Sequence, residues 1–252
     1  MSIDTLYHSP LMPHLLIEGL NRHNDEPCLY LGDKVASYRD VRESTSQLVQ
    51  ALQSKGLGVG SRIAVISANR PEVLSNIAAM QIAGCIGTPL HPLGSLEDHA
   101  YVLAAAEIDT LVYDASAFEE VAAALKARVP GLRNLLAFGP TEVGEDYLAL
   151  AAGFEPRPLV APDVDPEDIA SITFTGGTTG KAKGVMSPYR VTAYMTQIPL
   201  AVWEFPEEVR MLIATPLSHA AAAFFLPVLQ KGGAFYVMQG FSPDGFFDMV
   251  RD

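Results

Sequence analysis

The sequence predicts an α/β protein made of two αβ lobes with largely parallel sheets, on three observations. Apolar residues at helical spacing alternate with short β-branched runs along the chain. Segment 60–138 reads strand, helix, strand, helix, strand, helix, strand. Such an order needs right-handed crossovers and therefore a parallel sheet. Residues 154–168 hold four prolines and five acidic residues and read as a linker. The expected organisation is thus a first αβ subdomain over 1–153, a linker over 154–168, and the start of a second αβ subdomain over 169–252.

Taken in order, strands are expected at 28–31 and 35–38, followed by a helix over 39–55 that Gly56 ends as a C-cap glycine. A strand at 62–67 leads to a helix over 71–83, with Pro71 and Glu72 suited to its first turn. After a strand at 85–89, Ser95 and Asp98 form a capping-box pattern that opens a helix over 95–106. Strand 110–113, helix 116–127 and strand 133–137 complete the first lobe. Beyond the linker come strand 169–175, helix 187–201, strand 210–214, helix 218–230 and strand 233–237. A last helix begins after Ser242-Pro243 and is still running at Asp252.

Composition bounds the function. A chain of 252 residues, 49% of them apolar, can bury a sizeable core. Its 17 basic against 29 acidic residues disfavour nonspecific nucleic-acid binding, which depends on neutralising phosphates. Cys28 and Cys85 lie in separate expected strands, have no metal or redox spacing, and read as buried structural thiols. The N-terminus shows no basic region followed by an apolar one, and no apolar run approaches the roughly 18 residues that span a bilayer. A cytoplasmic protein is expected.

The most informative segment follows strand 169–175. From Phe174 to Gly184, four glycines, three threonines and two lysines occupy eleven positions. Glycine lets the backbone turn and bring its amides close to a ligand, threonine adds hydroxyl donors, and lysine adds positive charge. These are the parts needed to hold a polyphosphate. A Walker-type loop is excluded, because Gly176 and Gly180 are separated by three residues and Ala182 follows Lys181. A glycine- and threonine-rich surface hairpin that binds nothing is the competing reading of the residues alone.

Residues 174–185 (Phe-Thr-Gly-Gly-Thr-Thr-Gly-Lys-Ala-Lys-Gly-Val) resemble the phosphate-loop signature of the adenylate-forming enzymes, which include acyl-CoA synthetases, aryl-CoA ligases, luciferases and peptide-synthetase adenylation domains. Only Ala182 departs, standing where that family usually has proline, and the change removes no phosphate donor. Tyr38-Arg39-Asp40-Val41, Gly60 to Val65 and Asn69-Arg70-Pro71-Glu72 resemble the family's opening region. So do Ala83 to Pro92, Thr215-Pro216-Leu217-Ser218-His219 and Lys231-Gly232-Gly233-Ala234 for later elements of the same family, in the same order.

The resemblance implies the N-terminal part of the adenylate-forming fold and a two-step reaction. A carboxylic acid attacks MgATP to give an acyl-adenylate, and the thiol of coenzyme A then displaces AMP. It implies phosphate-binding roles for Thr175, Gly176, Gly177, Thr178, Thr179 and Gly180, with Thr178 as the candidate ligand to Mg²⁺. For Lys181 and Lys183, phosphate contact and a loop-fixing or solvated role stay equally open. His219 reads on its own as a helix-cap histidine, and by resemblance as a residue beside the acyl carboxylate. Transfer to an acyl carrier protein, or a non-catalytic nucleotide-binding module, are the alternatives. Family members are roughly twice as long, so the chain is expected to be an N-terminal fragment that lacks the ribose-binding acid, the Mg²⁺-binding glutamate and the adenylation lysine.

Small residues Ala220 to Ala223 either allow close packing, the favoured reading, or leave room for a substrate chain. Tyr194, Trp203 and Phe205 read as core or surface ahead of pocket lining, and His8, His14, His23, His91 and His99 as structural.

Overall fold

The structure, a computed structural model, describes residues 9–175, 182–218 and 220–251. Helix α1 (Met12–Arg22) precedes a hairpin of β1 (Pro27–Leu31) and β2 (Lys34–Ser37) and helix α2 (Tyr38–Ser54). The alternating part follows: β3 (Arg62–Ile66), α3 (Pro71–Ile82), β4 (Ile86–Pro89), α4 (Leu96–Ala105), β5 (Thr110–Tyr113), α5 (Ala115–Arg128) and β6 (Asn134–Ala137). Short elements β7 (Glu145–Asp146) and α6 (Tyr147–Ala152) close it. Next come β8 (Ile169–Thr175), β9 (Lys183–Pro188), α7 (Tyr189–Val202), β10 (Arg210–Ile213), α8 (Ala220–Ala223), α9 (Phe225–Gln230), β11 (Ala234–Val237) and α10 (Pro243–Arg251).

The local signals explain these boundaries. Ser95 Oγ accepts from Asp98 N at 3.1 Å and Asp98 returns the bond to Ser95 N, the expected capping box. Ser37 and Asp40 form a second one at the start of α2. Gly56 adopts φ +73°, the left-handed geometry that ends α2. Helix 218–230 is not continuous. Pro227 has no N–H to give the Ala223 carbonyl, and the helix is interrupted at Phe224, leaving α8 and α9. Helix α1 carries an apolar stripe of Leu15, Leu16 and Leu20, all buried.

The larger sheet draws strands from both sides of segment 154–168. One sheet has seven strands in the order β7-β6-β5-β3-β4-β8-β9, so β8 and β9, from beyond the proline-rich segment, extend the sheet that β3 to β7 begin. The other has four, β10-β11-β1-β2, and joins the two ends of the chain by parallel pairing of β1 with β11. All neighbours in the larger sheet are parallel except β8 and β9. The reason is apolar: Ala170 and Ile172 of β8 are buried once that strand covers the open edge of β4.

Segment 154–168 is a strap tied to α2. Ser46 Oγ donates to Arg157 O at 2.8 Å and accepts from Arg157 N at 2.7 Å, while Gln47 and Gln50 donate to Phe154 O and Glu155 O. Prolines cannot join a ladder, so side chains of the helix satisfy the strap's backbone. No helix among the described residues is long and apolar enough to cross a membrane. Cys28 and Cys85 are fully buried, and burial pushes each thiol up to about 12.

The strand order of the large sheet reverses between β3 and β5, with β4 added on one side of β3 and β5 on the other, and open α/β sheets commonly bind ligands in the crevice at such a point. Here Arg70 spans it. Its Nη1 donates to Asp114 Oδ1 at 2.9 Å and to Phe138 O at 3.0 Å, its Nε and Nη2 donate to Glu72, and its guanidinium lies 5.5 Å from the Phe138 ring centre. Burial works against the Glu72 charge, yet the hydrogen bonds and attraction of Arg70 hold its carboxyl below the ordinary 4.5. A lowered carboxylate pKa stabilises the fold above the unfolded value and is lost as pH falls through the folded one. Glu72→Gln should therefore lower the melting temperature at pH 7, and the gap to wild type should close as the pH drops below 4.5, which melting curves at stepped pH will test.

Candidate functional site

Strands β8 and β9 form an antiparallel hairpin in which Thr175 stands opposite Lys183 and Phe174 opposite Gly184. A Cβ at Gly184 would lie 3.1 Å from both Ile172 Cγ2 and the Phe174 ring, so a larger residue there would have to push them back by a few tenths of an ångström. Helix α4 braces the far side. Tyr101 packs edge-on against Phe174, with ring centres 6.3 Å apart, and its hydroxyl donates to Ala182 O at 3.1 Å. Strand β8 therefore ends at the carboxyl end of the sheet, next to β4 and one strand from β3.

Of the expected phosphate-binding residues, Thr175 and Lys183 are described. They face each other at the neck of the hairpin, where Thr175 Oγ1 donates to Lys183 O at 3.5 Å. Both are exposed. Gly176, Gly177, Thr178, Thr179, Gly180 and Lys181 lie outside the described residues, as does His219. The donor set over 174–185 holds hydroxyls, amides and ammonium groups with no carboxylate among them, which fits a triphosphate with its cation.

A cavity of about 460 Å³ opens on the same side of the sheet. Its wall includes Gly87, Thr88, Ser171 and Thr173 from β4 and β8, and its opposite side is formed by Val73, Ile77 and Met80 of α3 and by parts of α7 to α9. That size lies within the roughly 300–1,000 Å³ of small-molecule sites. Met12, Met80 and Met195 all reach it, and methionine side chains adapt to varied shapes. A Cβ at Gly87 would lie 3.3 Å from Met80 Cε, so the glycine lets Met80 sit against the strand. Thr88 Oγ1 and Gln81 Oε1 are buried in this wall with no hydrogen-bond partner among the described residues.

The small residues divide their work. Among the described side chains, Ala221 is buried in the core, which fits the favoured packing role, while Ala222 and Ala223 line the cavity. Tyr194 and Trp203 are exposed on the surface, about half accessible each.

Asn69, which has no chemistry to announce it in the sequence, ties this region together. Its Nδ2 donates to Thr215 O at 3.0 Å and its Oδ1 accepts from Leu217 N at 2.9 Å. The partners are 146 and 148 residues away in sequence, so no local signal could have found the pair. Ser218, the next residue, borders the cavity.

The sequence profile of the AMP-binding enzyme family matches residues 17–252. The medium/long-chain-fatty-acid–CoA ligase FadD8 of Mycobacterium tuberculosis (strain ATCC 25618 / H37Rv) is 46% identical over 245 residues, covering 95% of this chain and 43% of the relative. A feruloyl-CoA synthase of Amycolatopsis sp is 29% identical over 224 residues, 87% of this chain and 42% of the relative. The amide bond synthetase McbA from Marinactinospora thermotolerans superposes with a TM-score of 0.83 at 26% identity, over 96% of this chain and 47% of that one. Apo MbtA of Mycobacterium smegmatis gives 0.86 at 20% identity, over 96% and 46%. The chain belongs to the AMP-binding enzyme family, and its fold is that of the adenylate-forming enzymes. It spans less than half the length of these relatives.

Proposed function

We propose that the protein carrying this chain activates a medium- or long-chain aliphatic carboxylic acid and passes it to coenzyme A. A carboxylate oxygen attacks the α-phosphate of ATP, the bond to pyrophosphate breaks, and the CoA sulfur then attacks the acyl carbon as AMP leaves. Thr175, Thr178 and Thr179 are assigned to supply hydroxyls to the leaving pyrophosphate, and the amides of Gly176, Gly177 and Gly180 are assigned to the same phosphate oxygens. Prepositioned donors of this kind stabilise charge as it develops. Lys183, opposite Thr175 at the neck, adds positive charge or fixes the loop. Thr178 is the assigned ligand to Mg²⁺, which when bound neutralises phosphate charge. His219 is assigned to the acyl carboxylate. The setting is cytoplasmic.

The observation that carries the reading is the placement of an apolar, methionine-edged cavity beside the strand that delivers the loop. The 46% identical relative named as a fatty-acid–CoA ligase supports the acid class and the acceptor. Each buried methylene is worth about 0.8 kcal/mol, so kcat/KM should rise about fourfold per added methylene until the cavity is full. AMP release by the intact protein, measured over saturated acids of graded length, tests this. No dependence on acid, or no length trend, contradicts it, and AMP release indifferent to CoA would point to a carrier-protein acceptor. Ala223→Phe should cut kcat/KM for the longest acids by at least tenfold while leaving that for the shortest within about threefold.

Tyr101→Phe keeps the ring against Phe174 but loses the hydroxyl on Ala182 O. One neutral hydrogen bond is worth about 1 kcal/mol, so the KM for ATP should rise about fivefold with the KM for acid unchanged.

A further inference from the structure

We propose that Asn69 is a positioning residue for acid activation: its carboxamide holds the Thr215–Leu217 segment and so sets the Ser218 edge of the cavity. The inference rests on the activity proposed above.

The geometry is that of a short β-ladder made by one side chain. Thr215 O and Leu217 N point to the same side of the segment, and Asn69 meets one with a donor and the other with an acceptor. Only a carboxamide presents both groups side by side. Between them stands Pro216, which has no N–H to offer. Leu217 is 2% exposed and Asn69 8%, so water has little access to replace either bond.

The clamp is itself held still. Asn69 sits between Ser67, at the cavity wall, and Arg70, whose bonds to Glu72, Asp114 and Phe138 O fix the turn from β3 into α3. Pro71 then opens the helix. Asn69 thus links the carboxyl end of β3 to the segment that follows β10 of the other sheet, since β10 ends at Ile213, two residues before Thr215. Position errors of about 1 Å at a reacting group can cost up to about a hundredfold in rate.

The test uses the intact protein and follows AMP release with acid varied at saturating ATP, then with ATP varied at saturating acid. Asn69→Ala should raise the KM for acid roughly ten- to a hundredfold and leave the KM for ATP within about twofold. Asn69→Asp, of the same size, should do at least as much, because a carboxylate has no donor for Thr215 O. Should the alanine variant not fold, the aspartate variant serves for the same split. Equal rises in both KM values, no change in either, or failure of both variants to fold would overturn the proposal and leave Asn69 a purely structural residue. A wild-type protein with no acid-dependent AMP release would instead sink the activity itself.

Discussion

The docking of β8 along the open edge of β4 is the constraint on which the rest of the structure depends. A parallel strand at that edge must enter at the amino end of the sheet and leave at its carboxyl end. Leaving there, it can return only as the antiparallel β9, so Thr175 and Lys183 stand opposite each other at the end of the sheet where α/β proteins bind ligands. The same strand gives the cavity Ser171 and Thr173.

Two tethers make that docking precise. The strap 154–168 brings the chain back from the β7 edge and is hydrogen-bonded along α2 before β8 starts. At the other end, Arg70 fills the crevice between β3 and β5 with its own ion pairs. The usual ligand position at the chain reversal is thereby taken by protein, and the space available lies one strand further along, over β4 and β8. Asn69, one residue before Arg70, extends this rigid corner across to the second sheet.

Much of this was legible in the sequence because it is local. Gly56, Pro71 and the Ser95–Asp98 pair mark helix ends by their backbone chemistry, and the alternation over 60–138 states the parallel sheet. The hidden parts are those that depend on distant partners. Nothing near β1 says that it pairs with β11, and the proline-rich strap looked like a boundary because its partners, Ser46, Gln47 and Gln50, lie more than a hundred residues earlier. β9 was masked by Gly184 and Pro188, poor strand formers that the tight pairing with Phe174 and the strand end accommodate. For the site, the resemblance of residues 174–185 singled out Thr175 and left Lys183 between phosphate contact and a loop-fixing role. Asn69 stood out only within a segment resembling the family's opening region, and its tie to Thr215 and Leu217 could not be seen because those partners lie 146 and 148 residues away.

A crystal structure of the intact protein with bound ATP tests the central claim most directly. The account requires the triphosphate to lie at the carboxyl end of β8, within hydrogen-bonding reach of the amides and hydroxyls between Thr175 and Gly180. A nucleotide seated in the crevice beside Arg70, or anywhere that leaves the hairpin connection without contact to phosphate, would contradict it.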